Sequence, residues 1–225
     1  MSMDGKTFDS RYRGRLERLC TTNLSDAMDL LGIRGAVIGI RPMFDCGRLV
    51  GRAVTIRITA AGMTQSRAHL GIEAIAGAEA GDVIVIDNHG DVANNCWGEV
   101  LSCAAKVKGV NGVIVDGAVR DLDACKTMDF PVYARAAVPI TARGRIMQEA
   151  FNCMIRLGDV QVRPGDVVVA DINGVVVVCI ERLDDVVREA EILMEKEEQM
   201  MADLLAGMDV LEMDRKYNYE QMLKK

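Results

Sequence analysis

Three stretches of the chain set charge beside glycine or apolar residues in places where chemistry is possible: "NNCWGEVL" (94–101), "DGAVRDLDAC" (116–125) and "EILMEKEEQMMADLLAG" (191–207). In the first, Gly98 stands just before a helical pattern. The amides of Glu99, Val100 and Leu101 are then the unpaired donors of a first turn, a receptor for a carboxylate or phosphate. In the second, Arg120 and Asp121 follow an apolar run read as a strand ending at Gly117, and open α/β folds place ligands beyond the carboxyl ends of their strands. Asp121 offers a hard oxygen of the kind Mg²⁺ takes, with water or substrate filling the remaining positions. Arg120 offers a planar, permanently charged fork for an oxyanion. In the third, Glu197 falls near the middle of an apolar helical stripe (Val186, Ala190, Leu193, Met194, Met200, Met201, Leu204), and Glu198 falls at its edge. A carboxylate inside such a stripe must meet a cation, a metal's shell or solvent.

Each pattern also has a plainer reading. An Arg-Asp dipeptide is commonly an exposed, weakly stabilising ion pair, and Asp121 could cap a helix that begins at Leu122. Glu99 suits the positive end of any helix, and Glu197 could lie where the helix projects past the core.

The elements that must position these residues follow from periodicity and turn chemistry. Residues 9–31 read as helical, with Thr22, Asn23 and Ser25 as caps and Gly32 as the stop. Strand-like runs come next at 36–40 and 47–60, then a helix from 67 to the Gly81 turn and a strand over 82–87. A loop ("NHGDVANNCWGE") leads into an apolar helix ("VLSCAAKVKG"), a strand over 110–117, a short helix ("RDLDACKTMD") and a strand over 131–137. "VQVRPGDVVVADINGVVVVC" reads as strand, turn and strand, with a hairpin at Asn173-Gly174. A long helix covers 183–206, and a polar tail occupies 208–225. Residues 1–207 form one domain on this reading, a compact α/β sandwich. With no GxGxxG after the first strand and no GxxxxGK[ST], the sequence shows no phosphate cradle of the nucleotide-binding kind.

Composition narrows the function classes. A net charge of −6 disfavours nucleic acid or an anionic membrane as partner, while leaving room for a locally positive pocket that takes a small anion. Seven cysteines with no CxxC spacing suggest free thiols in a reducing cytoplasm. The N-terminal stretch lacks the apolar core of a signal peptide, so a cytoplasmic location is expected.

Taken together, "TTNLSDAMDLLG", "GRAVTIR", "GDVIVIDNHGD", "NCWGEVLSCAAKVKGVNGVIVDGAVRD" and "FPVYARAAVP" resemble the family of the regulator of ribonuclease activity A and the 4-hydroxy-4-methyl-2-oxoglutarate aldolases, in older usage demethylmenaquinone methyltransferase-like. The WGE-to-VRD block is the specific part. The resemblance implies an α/β/β/α sandwich of the swivelling β/β/α (RraA-like) type, assembled as a ring trimer or a dimer of trimers with sites between subunits. It further implies that Asp121 holds Mg²⁺ or Mn²⁺, that Arg120 faces the keto oxygen, and that the turn at Gly98, Val100 and Leu101 receives the pyruvyl carboxylate. It implies as well that acidic residues matching Glu99 and, from a neighbouring subunit, Glu197 hold waters of the metal.

One departure bears on activity. Aldolases of this family tend to carry an acidic residue three positions after the metal-binding aspartate, where this chain has Ala124. Asp123 lies one place earlier, turned by about 100° on a helix. Aldol cleavage needs a base for the C4 hydroxyl, whereas decarboxylation of oxaloacetate needs only an electron sink. The expectation is therefore a metal-dependent, pyruvate-forming lyase acting on a small anionic keto acid, with oxaloacetate decarboxylation the more robust activity. The alternative is a non-catalytic regulator acting by protein–protein binding, for example to a ribonuclease. A methyltransferase is less supported, because no glycine-rich loop for S-adenosylmethionine is visible.

Overall fold

The computed structural model describes residues 3, 5–64 and 68–222. In chain order the helices are α1 (Gly5–Phe8), α2 (Gly14–Leu16), α3 (Thr21–Leu30), α4 (Ile72–Gly77), α5 (Glu99–Lys108), α6 (Leu122–Thr127), α7 (Leu183–Leu205) and α8 (Val210–Tyr217). The strands are β1 (Ala36–Val37), β2 (Arg41–Pro42), β3 (Leu49–Ala60), β4 (Val83–Asn95), β5 (Gly112–Val119), β6 (Val132–Ala134), β7 (Ala136–Ala137), β8 (Ile146–Phe151), β9 (Ile155–Leu157), β10 (Val160–Val162), β11 (Val167–Asp171) and β12 (Gly174–Val178).

Strands β3, β4, β5 and β6 run parallel to one another, and β11, β12 and β1 extend the path antiparallel from β3. All eight residues of β5 are buried, as a parallel strand covered on both faces requires. Alternation along these strands sends side chains into different cores. Ile84, Ile86, Val113 and Val115 meet the residues of α4, α5 and α6. Val83, Val85 and Ile114 point the other way, against Val168, Ala170, Val175 and Val177 of β11 and β12 and against the β9–β10 hairpin. The opposite faces of β11 and β12 (Val167, Val169, Val176, Val178) pack on the N-terminal helices and α7. The result is an α/β/β/α sandwich with three cores, as the sequence led us to expect. Truncating a fully buried residue such as Ile86 to alanine is expected to cost about 2–5 kcal/mol.

Strand β3 joins the layers. Leu49–Arg52 pair with β11, Ala53–Arg57 run parallel to β4, and Ile56–Ala60 pair with β8. Val50 accordingly packs in the core beside α7, Leu49 and Ala53 in the middle core, and Ile56 and Ile58 beneath α4–α6.

Several elements differ from the sequence reading. The helix expected over 9–31 is broken: a π turn (Asp9–Arg13) joins α1 to α2, and Cys20 is extended and N-caps α3, with Asn23 closing a reciprocal cap. The helix expected from 67 to 81 shortens to α4, because Gly71 at φ 84° holds its entrance and Ala78 is already extended. Arg67 lies outside the described residues. The loop expected from Asn88 continues as β4 as far as Asn95, with its register to β5 shifting twice. Paired Asp171 and Gly174 leave Ile172 and Asn173 as the hairpin loop, one residue earlier than expected. The polar tail contains α8, capped by Asp209 and tied to α7 by Lys216 and Tyr217, each 2.6 Å from Asp203. None of the described helices is long and apolar enough to cross a membrane.

Candidate active site

The site forms where β5 ends. Its last residue is Val119, so Arg120 is the first residue beyond the strand. The segment leaving β4 runs alongside: Cys96 N donates to Ala118 O and Arg120 N donates to Trp97 O, both at 3.0 Å. Two backbone bonds thus set "CWGE" against "AVRD" before any side chain is considered.

Gly98 is the N-cap of α5, in extended conformation and with no side chain to cap the turn. A Cβ there would fall 2.6 Å from Asp121 Oδ2 and 3.3 Å from Arg120 Cγ. Only glycine lets that carboxylate approach the helix start. Asp121 itself is left-handed at φ 58°, ψ 37°, a conformation Asp tolerates better than most residues. It occupies the N-cap position of α6 yet makes no cap bond there. Its Oδ2 instead accepts the amide of Glu99 at 3.2 Å. The simple capping role for Asp121 is therefore not what the fold uses, because the side chain faces α5 rather than its own helix.

Arg120 Nε lies 3.2 Å from Asp121 Oδ2 with both side chains partly exposed, but it is buried without a hydrogen-bond partner among the described residues. The amides of Val100 and Leu101 lack intrahelical acceptors by their place in the first turn. These groups line an open cleft of about 320 Å³ with Trp97 and Glu99. One wall thus offers amide donors, a helix's positive end and a guanidinium beside two carboxylates, a set suited to a carboxylate with an adjacent polarisable oxygen.

The sulfurs near this wall are not nucleophiles. Burial is the main cause that pushes up the thiols of Cys125 and Cys96; the charges of Asp121 and Glu99 add to it at Cys125, and those of Asp91 and Asp116 at Cys96. Both stay protonated near neutrality.

A single Asp carboxylate with an unbonded Oδ1 fits a hard cation that takes one protein ligand and fills its other positions with water or substrate. No group of three or more His, Cys, Asp or Glu capable of holding a metal occurs among the described residues.

Of the residues singled out from the sequence, Gly98, Glu99, Val100, Leu101, Arg120 and Asp121 come together in this cleft. Glu197 does not join them within one chain. It lies on α7 in the other helical layer, half-buried, and accepts Asn23 Nδ2 at 2.9 Å. Its negative charge, after the larger effect of burial, raises the pKa of Asp26. Asp123 is exposed, and Ala124 is half-buried.

The remaining lining includes His69 and Ile72 around the start of α4, and Thr141, Ala142 and Arg143 from the loop between β7 and β8. These were not foreseen. The Arg143 guanidinium makes no ion pair or hydrogen bond among the described residues, and Arg143 N approaches Thr141 Oγ1 at 3.3 Å. Gly144, whose φ is 74°, lies in a turn closed by Arg145 N donating to Ala142 O at 3.0 Å.

With this geometry in hand, comparison with known proteins is informative. The profile of the RraA-like family, described as Aldolase/RraA, matches residues 21–177. A protein of Halalkalibacterium halodurans named as a candidate 4-hydroxy-4-methyl-2-oxoglutarate aldolase is 34% identical over 172 residues, which is 76% of this chain and 78% of that one. DlpA of Legionella pneumophila is 29% identical over 209 residues, 92% of this chain, which spans only 34% of that protein. Among solved structures, an uncharacterized protein of Pseudomonas syringae superposes with a TM-score of 0.82 at 26% identity, covering 95% of this chain and 98% of that one. RraAS2 of Streptomyces coelicolor, described as an unusual member of the RNase ES inhibitor RraA protein family, superposes with a TM-score of 0.76 at 25% identity, covering 88% and 96%.

Proposed function

Because the chain belongs to the RraA-like family, we propose that its cleft serves a divalent-metal-dependent lyase that cleaves a carbon–carbon bond of a β-keto or γ-hydroxy-α-keto acid to give pyruvate. The observation that carries this reading is the convergence of the Asp121 carboxylate, the Arg120 fork and the free amides of Val100 and Leu101 on one cleft.

The carboxylate of the keto acid binds the α5 amides, held by two N–H donors and the helix's positive end. That binding sets the neighbouring keto oxygen toward the Arg120 guanidinium. When the bond beta to the ketone breaks, its electron pair becomes the enolate of pyruvate, and Arg120 stabilises the charge on that oxygen with donors already in place. Asp121 would hold the cation, which supplies Lewis acidity toward the same charge when bound. With oxaloacetate the products are CO₂ and the enolate, which takes a proton to become pyruvate. No base is required before bond cleavage, so Ala124 matters less here than in aldol cleavage, where a hydroxyl proton must leave first.

Assembly as a ring trimer in a reducing cytoplasm completes the proposal. Glu197 lies away from the cleft of its own chain, so its part in the site requires a neighbouring subunit. The test is pyruvate release from oxaloacetate during titration with Mg²⁺. Saturable, metal-dependent release supports the reading. Absence of release at saturating Mg²⁺, with the protein folded, favours the binding-protein reading suggested by the ribonuclease-inhibitor relatives.

A further inference from the structure

We propose that Ser102 is a positioning residue whose buried hydroxyl locks the amide-bearing turn of α5 in register with Asp121. The inference rests on the lyase reading for its catalytic meaning and adds to it the device that holds the two halves of the site together.

Ser102 lies one turn into α5 and is fully buried, as are Trp97 and Cys125 around it. Indole N–H is a donor only, so Trp97 Nε1 donates to Ser102 Oγ, at 2.8 Å. The hydroxyl proton then goes to Gly98 O at 3.0 Å. The lone pair that remains faces Cys125 Sγ at 3.3 Å, so the thiol is the donor in that pair. Burial, which keeps the thiol protonated, agrees with this direction. These three contacts use the hydroxyl's one donor and both of its acceptor positions.

Each bond leads to the site. Trp97 O receives Arg120 N at 3.0 Å, and Cys125 N donates to Asp121 O at 3.1 Å. Gly98 precedes the free amides and offers no side-chain cap of its own, so the start of α5 is held from inside by Ser102 and from outside by Asp121 at the Glu99 amide. A closed ring therefore runs Ser102–Trp97–Arg120–Asp121–Cys125–Ser102, and Ser102 is the side chain that closes it between α5 and α6. Its hydroxyl does not line the cleft. It acts through the groups it holds.

The test uses the full chain and two readouts: amide hydrogen exchange at Glu99, whose N–H bonds Asp121, and kcat/KM for oxaloacetate with Mg²⁺. Ser102→Ala is expected to speed Glu99 exchange by about tenfold or more and to lower kcat/KM by about a hundredfold, the usual effect of a small misplacement. Cys125→Ser keeps a donor to Ser102 and should stay near wild type, whereas Cys125→Ala should move in the direction of Ser102→Ala. The emission of Trp97, the only tryptophan, should shift in Ser102→Ala and not in Cys125→Ser. Unchanged Glu99 exchange in Ser102→Ala, or equal losses in the two Cys125 variants, would overturn the proposal. Should Ser102→Ala fail to fold, the contrast between the two Cys125 variants decides alone. If wild type releases no pyruvate while the exchange contrasts appear as expected, the lyase reading falls and the register role of Ser102 stands.

Discussion

Asp121 Oδ2 accepts the amide of Glu99 at 3.2 Å, so a carboxylate standing at the N-cap of α6 is turned to the first turn of α5. One oxygen is fixed by the protein, and the other has no protein partner among the described residues. Asp121→Asn keeps an acceptor for Glu99 and tolerance of the left-handed backbone but removes the charge. Metal-dependent pyruvate release should fall to background, while stability changes by less than about 1 kcal/mol. Kinetics at saturating Mg²⁺ with a thermal melt check this, and substantial residual activity would remove Asp121 as the metal ligand.

Arg120→Lys retains the charge and loses the fork. The expected result is a fall in kcat of about a hundredfold to a thousandfold, with a smaller change in KM. A rise in KM alone would show that Arg120 binds the substrate without acting on the developing charge.

Gly98→Ala tests the close approach directly. The added methyl would meet Asp121 Oδ2 at 2.6 Å, and alanine is otherwise at ease in the extended conformation found there. The carboxylate must move, so activity and Mg²⁺ affinity should both drop about tenfold or more without unfolding. Wild-type Mg²⁺ affinity in this variant would mean that the approach is incidental.

Among the described residues, Arg143 is the unpaired arginine of the lining outside α5 and α6, and the carboxylates of that lining, Glu99 and Asp121, both belong to the α5–α6 side. A second carboxylate on the substrate would find its partner at Arg143. Arg143→Ala should raise KM for a keto diacid by about tenfold or more, the value of one charged hydrogen bond, with kcat unchanged. A keto acid with a single carboxylate should be unaffected, and equal effects on both substrates would sink the assignment.

Glu197 distinguishes a site within one chain from a shared site. Glu197→Gln should lower turnover and leave assembly intact, whereas Glu198→Gln, exposed on the same helix, should do little. Co-expressing Glu197→Gln and Asp121→Asn chains should give more activity than either variant alone, because mixed oligomers of a shared site contain interfaces with both residues intact. Verified mixed oligomers without that gain would return Glu197 to its bond with Asn23.

The near wall of the cleft was legible because its residues are consecutive in sequence and announced by a strand end and a glycine: Gly98, Glu99, Arg120 and Asp121 needed only the pairing of two neighbouring segments. Ser102 was invisible as part of the site, since a serine inside an amphipathic helix signals nothing until Trp97 and Cys125 are seen around it. His69 and Arg143 arrive from loops whose placement depends on β8, an element with half-exposed residues and no clean alternation. The fold's four layers followed from runs of buried Val and Ile, whereas element ends did not. Gly71 shortened α4 by its backbone conformation, and β4 outran its apolar run by bulging.

Strand β3 sends side chains into all three cores. Layers that share no other strand are thereby made thermodynamically inseparable: heat or denaturant that loosens α7 strains the same twelve-residue strand on which β4, and through it the α5 turn, is registered. The protein should consequently melt in one cooperative transition, with the cleft losing its geometry at the same temperature as a helical layer on the far side of the molecule.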